Sequence, residues 1–171
     1  GIDTLDDSAA TGNLTVNLAS GTSSDSNNST VTGLGNDVIS GVENLITGTG
    51  NDRVTGSGDA NLIQSGAGND IVAGGAGSDT LEGGAGNDTL DYTANTSGQG
   101  IVVDLSAGTA NDGLGGSDSF SSFESVSGGS GTDSITGDAG SNLLSGNTGN
   151  DTLDGGAGND TLSGGNDQDV I

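Results

Sequence analysis

Residues 74–82 read Gly74-Gly75-Ala76-Gly77-Ser78-Asp79-Thr80-Leu81-Glu82, and residues 83–91 follow at once as Gly83-Gly84-Ala85-Gly86-Asn87-Asp88-Thr89-Leu90-Asp91. The two nonapeptides share one pattern, Gly-Gly-x-Gly-x-Asp-x-apolar-x, and residues 155–163 give a third copy of equal quality. Extending the frame yields five consecutive units over 47–91. Their sixth positions are Asp52, Asn61, Asp70, Asp79 and Asp88, and their eighth positions are Val54, Ile63, Val72, Leu81 and Leu90. A second run, 128–171, has Asp133, Asn142, Asp151, Asp160 and Asp169 at the sixth positions. Ile135, Leu144, Leu153, Leu162 and Ile171 occupy its eighth. Single units stand upstream of each run, at 32–40 with Asp37 and at 113–121 with Asp118.

A larger repeat lies above this one. Adding 81 maps Asp37 onto Asp118, Glu43 onto Glu124, Asn61 onto Asn142 and Leu90 onto Ile171, so even the lapse from Asp to Asn is shared. The chain therefore divides into two expected modules. Residues 1–90 hold an insert at 6–31 and the run 47–91; residues 91–171 hold an insert at 91–112 and the run 128–171. Each insert carries one alternating apolar stretch, Leu14-Val16-Leu18 in the first and Ile101-Val103-Leu105 in the second. Asp3-Thr4-Leu5 and Asp169-Val170-Ile171 are in phase with Asp88-Thr89-Leu90, which leads us to expect a window on a longer tandem array.

Nine residues of this kind have a physical reading. Glycines at positions 1, 2 and 4 permit positive φ and close backbone approach, so the first six positions form a turn. The last three favour a short strand whose eighth residue points to one face while its neighbours point away. Two nonapeptides then make one coil of a parallel β-roll, a β-solenoid with a strand on each of two sheets and a turn on each edge. The inward Leu, Ile and Val stack into a narrow core. One apolar anchor contributes about 1.5–3 kcal/mol, while ordering each residue costs on the order of 1.5 kcal/mol. Burial alone cannot hold such a roll.

Charge points to the missing contribution. The 171 residues contain 24 acidic and one basic side chain, for a net charge of −23. A nucleic-acid surface is excluded, because phosphate binding needs clustered Lys and Arg, and no stretch has the length and apolarity of a membrane span. With no His and no Cys, soft and borderline metals lose their preferred ligands, leaving oxygen donors and hard cations. Units on one edge of the roll are two apart. Successive turns therefore place Asp52 by Asp70, Asp70 by Asp88 and Asn61 by Asp79, and likewise Asp133 by Asp151, Asp151 by Asp169 and Asn142 by Asp160. Glycine turns expose carbonyls, and each Asp adds a carboxylate, which is a donor set suited to several Ca²⁺ ions. The Asn members offer oxygen without charge, so weaker sites are expected there.

At these residues the chain resembles the RTX (repeats-in-toxin) family, whose motif is Gly-Gly-x-Gly-x-Asp-x-hydrophobic-x. The match is strongest over 74–91 and 155–163. The resemblance implies an all-β, right-handed parallel β-roll, Ca²⁺ held between turns, and type I secretion with folding outside the cell. It assigns ligand roles to Asp37, Asp52, Asn61, Asp70, Asp79, Asp88, Asp118, Asp133, Asn142, Asp151, Asp160 and Asp169. It adds carbonyls of glycines such as Gly66, Gly68, Gly75, Gly77, Gly84, Gly86, Gly149, Gly156 and Gly158.

The inserts, with Asp88-Thr89-Leu90-Asp91-Tyr92, Val102-Val103-Asp104-Leu105 and Phe123-Glu124, more loosely resemble segments of long bacterial surface and matrix proteins. The expected function is a calcium-binding structural repeat of a secreted, extracellular or cell-surface protein: a fibre, adhesin stalk, S-layer or biofilm matrix, with further copies end to end. The alternative is an accessory folding and secretion module of a secreted enzyme or toxin. No catalysis is expected, since most acids fall on the repeat grid and no His or Cys is present to pair with a nucleophile. Tyr92, Phe120 and Phe123 are expected to fill core at the insert junctions. Arg53 reads as a lone surface residue, and Glu82, Asp91 and Asp154 as exposed strand residues.

Overall fold

The computed structural model describes residues 1–25, 39–96 and 98–171. It is built of short strands in two sheets, with no helix among the described residues. Asp37 and much of the upstream unit at 32–40 lie outside them.

One sheet runs β1 (Thr4–Asp6), β4 (Asn44–Ile46), β6 (Leu62–Gln64), β8 (Thr80–Glu82), β12 (Ser117–Ser121), β11 (Thr109–Asn111), β10 (Val102–Asp104), β14 (Ser134–Thr136), β16 (Thr152–Asp154). The other runs β17 (Thr161–Asn166), β15 (Leu143–Thr148), β13 (Ser125–Ser127), β9 (Thr89–Asp91), β7 (Ile71–Ala73), β5 (Arg53–Thr55), β2 (Leu14–Asn17), β3 (Thr22–Asp25). Within a run of nonapeptides the chain alternates between sheets, and each strand pairs in parallel with the strand eighteen residues on. This is the parallel β-roll the nine-residue period predicts.

Register follows from the eighth positions. Leu45, Ile63, Leu81 and Phe120 stand opposite one another in one sheet. Val16, Val54, Val72, Leu90, Val126, Leu144 and Leu162 do so in the other. All of these are buried except Leu162, which is partly so. The neighbouring seventh and ninth residues face outward, as the two-residue period of a strand requires.

Stacked turns approach so closely that their glycines cannot be replaced without movement. A Cβ on Gly84 would overlap the carbonyl oxygen of Gly66, and one on Gly86 that of Gly68, and both glycines have positive φ. The freed approach is used, since the third-position amides of Ala67 and Ala85 donate to the carbonyls of Gly48 and Gly66 one coil earlier.

The inserts build more than the single strand each was expected to carry. In the second, β10 is followed by β11, antiparallel to it, and β11 pairs antiparallel with β12. The meander sits inside its sheet between β8 and β14, while β9, β13 and β15 remain adjacent opposite. In the first, β2 and β3 form the equivalent hairpin. The extra strand Thr109-Ala110-Asn111 escapes a sequence reading because a single small apolar residue marks its inward face.

After β12 the glycine turn is replaced by a corner, Ser122 to Glu124, with Ser122 at φ 60°. Phe123 turns inward there and meets Phe120 edge to face at 6.0 Å. Tyr92, Phe120 and Phe123 are all buried at this junction. Two smaller expectations need correction. Arg53 is not alone, because its guanidinium reaches across β7 to Asp91 at 2.8 Å. Asp91 is accordingly buried, unlike its exposed counterparts Glu82 and Asp154, because it ends the strand beside the insert.

Truncating the inward row tests this packing. In saturating calcium, Ile63→Ala and Leu144→Ala, both fully buried, are expected to lose about 2–5 kcal/mol in urea unfolding. Leu143→Ala, on the outer face of the same strand and half exposed, should change stability by less than about 0.5 kcal/mol.

Candidate calcium-binding turns

The turns lie along the two edges of the roll, and their sixth residues form a side-chain ladder on each. Along one edge Asp52 Oδ1 accepts the backbone N–H of Leu14, Asp70 Oδ1 that of Asp52, and Asp88 Oδ1 that of Asp70, at 2.7–2.8 Å. Glu124 Oε2 then accepts the N–H of Asp88 at 2.9 Å, and Asp160 Oδ1 that of Asn142 at 2.9 Å. Along the other edge Glu43 Oε2 accepts from Asp3, Asp79 Oδ1 from Asn61, and Asp118 Oδ1 from Asp79. Beyond the inserted meander Asp133, Asp151 and Asp169 accept in turn from Ile101, Asp133 and Asp151. Every described sixth-position Asp thus bonds the sixth residue, or its equivalent, one coil earlier.

Only one oxygen of each carboxylate is used in this way. The Oδ2 atoms of Asp52, Asp70, Asp79, Asp88 and Asp151 are buried without a hydrogen-bond partner, on residues at most 2% exposed. A buried anion with an unsatisfied oxygen is costly unless a cation or donor meets it. The first glycine of the turn makes room for the carboxylate to lie against the backbone. A Cβ on Gly74, Gly146 or Gly164 would run into the carboxylate of Asp79, Asp151 or Asp169. Gly66, Gly68, Gly75, Gly77, Gly84, Gly86, Gly149, Gly156 and Gly158 all hold positive φ in these turns.

The local electrostatics agree. Burial pushes the Asp70 carboxyl up to about 6, and the neighbouring charges of Asp52 and Asp88 push the same way. Burial likewise raises Asp118 to about 6, helped by Asp79 and Asp112. Asp52, Asp79, Asp88, Asp133 and Asp151 are raised too, each chiefly by burial. A hard cation removes both penalties at once. Among the described residues no three carboxylates converge on one point. An ion between turns would therefore draw most of its six to eight oxygens from carbonyls and water. The donor set fits Ca²⁺.

Two parts of this arrangement are not visible in the nonapeptide pattern. Glu43 and Glu124 take the aspartate's place in the ladder where the corner is too short for a turn, and their longer side chains span the gap. Asp112 falls off the repeat grid, yet it is fully buried, and its Oδ1 accepts the N–H groups of Leu114, Gly115 and Gly116. Where the meander interrupts the ladder, the Tyr92 hydroxyl donates to Asp118 Oδ2 at 3.2 Å. Outside the aspartates, fifth-position amides make a second ladder, in which Asn13, Asn51 and Asn69 accept from the N–H groups of Asn51, Asn69 and Asn87.

The raised carboxyls set a pH dependence. These groups hold protons more tightly folded than unfolded. The ion-free fold is therefore unpenalised below about pH 4 and loses stability as pH rises through about 6. In EDTA, acidification from about pH 7.5 to about pH 5 should increase the β-signal in far-ultraviolet circular dichroism. In calcium the same acidification should lower stability, because protons compete with the ion for the carboxylates.

No curated protein matches the chain. The sequence profile of the RTX calcium-binding nonapeptide repeat matches four times, over residues 40–72, 64–94, 123–152 and 136–171. These matches cover more than half of the chain and coincide with the glycine turns and the acid ladders. The chain belongs to the RTX calcium-binding nonapeptide repeat family, and Ca²⁺ is the ion its turns bind.

Proposed function

We propose that this chain is a calcium-stiffened structural stretch of a secreted bacterial protein, working as a spacer in a fibre, adhesin stalk, S-layer or biofilm matrix, and that it catalyses nothing. RTX repeats are structural calcium-binding repeats found in secreted bacterial proteins. The observation that carries the reading is the file of buried aspartates along each edge, five of them with a partnerless buried oxygen. In this reading Asp52, Asp70, Asp79, Asp88, Asp118, Asp133, Asp151, Asp160 and Asp169 supply the carboxylates, and the glycine turns supply carbonyls. Sites with one or two carboxylates and many neutral oxygens suit the calcium affinities of extracellular modules, about 10⁻⁴–10⁻³ M.

A spacer role is favoured by the uniformity of the surface. Residues 1–90 and 91–171 act as two copies of one module, joined through sheets that continue across the junction at β9 and β13. The outward positions of the strands are mostly Ser, Thr and Asn with scattered acids, which offers length and stiffness rather than a substrate pocket. Further copies placed end to end would extend the same two sheets.

A calcium titration of EDTA-treated protein, followed by far-ultraviolet circular dichroism with Mg²⁺ as control, tests the reading. A cooperative gain of β-signal with Ca²⁺ and little with Mg²⁺ is expected, because Mg²⁺ demands near-octahedral geometry and gives up its water reluctantly. A chain that holds full β-structure in EDTA, or stays disordered in millimolar Ca²⁺, would overturn it.

A further inference from the structure

Asn61 and Asn142 are the two described sixth positions that lack a carboxylate, and each sits one coil after a glutamate corner. The aspartates of the ladders turn an oxygen toward the preceding coil and meet a backbone N–H there. At the two asparagines the facing group is a carbonyl instead. Asn61 Nδ2 donates to the Glu43 carbonyl at 3.0 Å, and Asn142 Nδ2 donates to the Glu124 carbonyl at 3.2 Å. The other end of each amide is also taken. Asn61 Oδ1 accepts the N–H of Ser57 at 2.7 Å, and Asn142 Oδ1 that of Asp138 at 2.9 Å. Reversing either amide would set N–H against N–H and oxygen against oxygen, so the orientation is fixed by its surroundings.

The reason lies in the corner. There the N–H groups of Glu43 and Glu124 turn back to the carbonyls of Asp3 and Asp88 at 3.2 Å, so what each glutamate shows the asparagine is its carbonyl, which also accepts the N–H of Leu62 or Leu143. An aspartate there would place two acceptors face to face, an arrangement only a bridging cation could hold. An asparagine supplies the positive end itself. Both side chains are nearly fully buried, at 4% and 3% exposure, so water cannot replace that donor.

We propose that Asn61 and Asn142 keep calcium out of one junction in each module, their amides filling the place an ion takes elsewhere. This departs from the sequence-based expectation that both residues are weak ligands. It rests on the reading that the aspartate turns hold the ions. The roll then carries two links per pair of modules that the chain closes by itself, at the corners where the turn register is interrupted.

Counting ions by native mass spectrometry in saturating calcium tests this on the intact chain, with Asn61→Leu, Asn61→Asp, and the same pair at Asn142. Asn61→Leu is expected to keep the wild-type number of ions while its urea midpoint in calcium falls. Asn61→Asp and Asn142→Asp are each expected to bind one ion more. A leucine variant that loses one ion, or an aspartate variant whose count is unchanged, overturns the proposal. If a leucine variant fails to fold, the aspartate variant carries the decision. A wild-type chain that binds no calcium at all would instead defeat the reading of the turns on which the proposal rests.

Discussion

The structure depends on one repeated contact, an aspartate oxygen accepting the backbone N–H of the residue one coil earlier. It ties each turn to its predecessor and fixes the eighteen-residue step on both edges. It also creates the protein's main liability, since it buries like charges in files and leaves a second oxygen on many of them unsatisfied. Hydrogen bonds to charged groups contribute about 1.5–3 kcal/mol, but an uncompensated buried charge can cost as much or more. The same residue thus positions the coil and demands a cation. In this architecture the ion is the counterpart of the wide hydrophobic core that so glycine-rich a chain cannot build.

Glycine makes that contact possible. The carboxylate lies against the first glycine of its own turn, and the carbonyls of one turn lie against the second and fourth glycines of the next. A side chain at any of these places would push the coils apart and lengthen the ladder. Composition that looks like disorder is therefore the requirement of close stacking. The inward row of Val, Ile and Leu then needs to fill only the slot between two sheets.

Much of this was legible in the residues. The period of nine, with Leu81 and Leu90 at its eighth positions, gave the parallel pairing and the core, and the pairing of Asp52 with Asp70 and of Asp70 with Asp88 followed from two units per coil. What stayed hidden were contacts off the period. Thr109 to Asn111 carries too little apolar character to announce a strand. Asp112 has no repeat position to mark it, and Asp91 is indistinguishable from Glu82 until Arg53 is seen to reach it. The shared lapse at Asn61 and Asn142 was visible as a correlation, but its cause was not. A carbonyl rather than an N–H faces those side chains, and that depends on how the corner before them is folded.

The equivalent strands of the two modules lie in opposite sheets: β5 and β14, β6 and β15, and the hairpins that begin with β2 and β10. From β5 to β14 the chain passes between sheets an odd number of times, seven, so one module ends half a coil out of phase with its start. The second insert adds two strands to one sheet only, between β8 and β14, and at about 4.8 Å per strand it lengthens that sheet against the other. The first hairpin belongs to the opposite sheet, so the two inserts enlarge opposite faces. Modules repeated in this phase would present their inserts on one face and then on the other, in strict alternation.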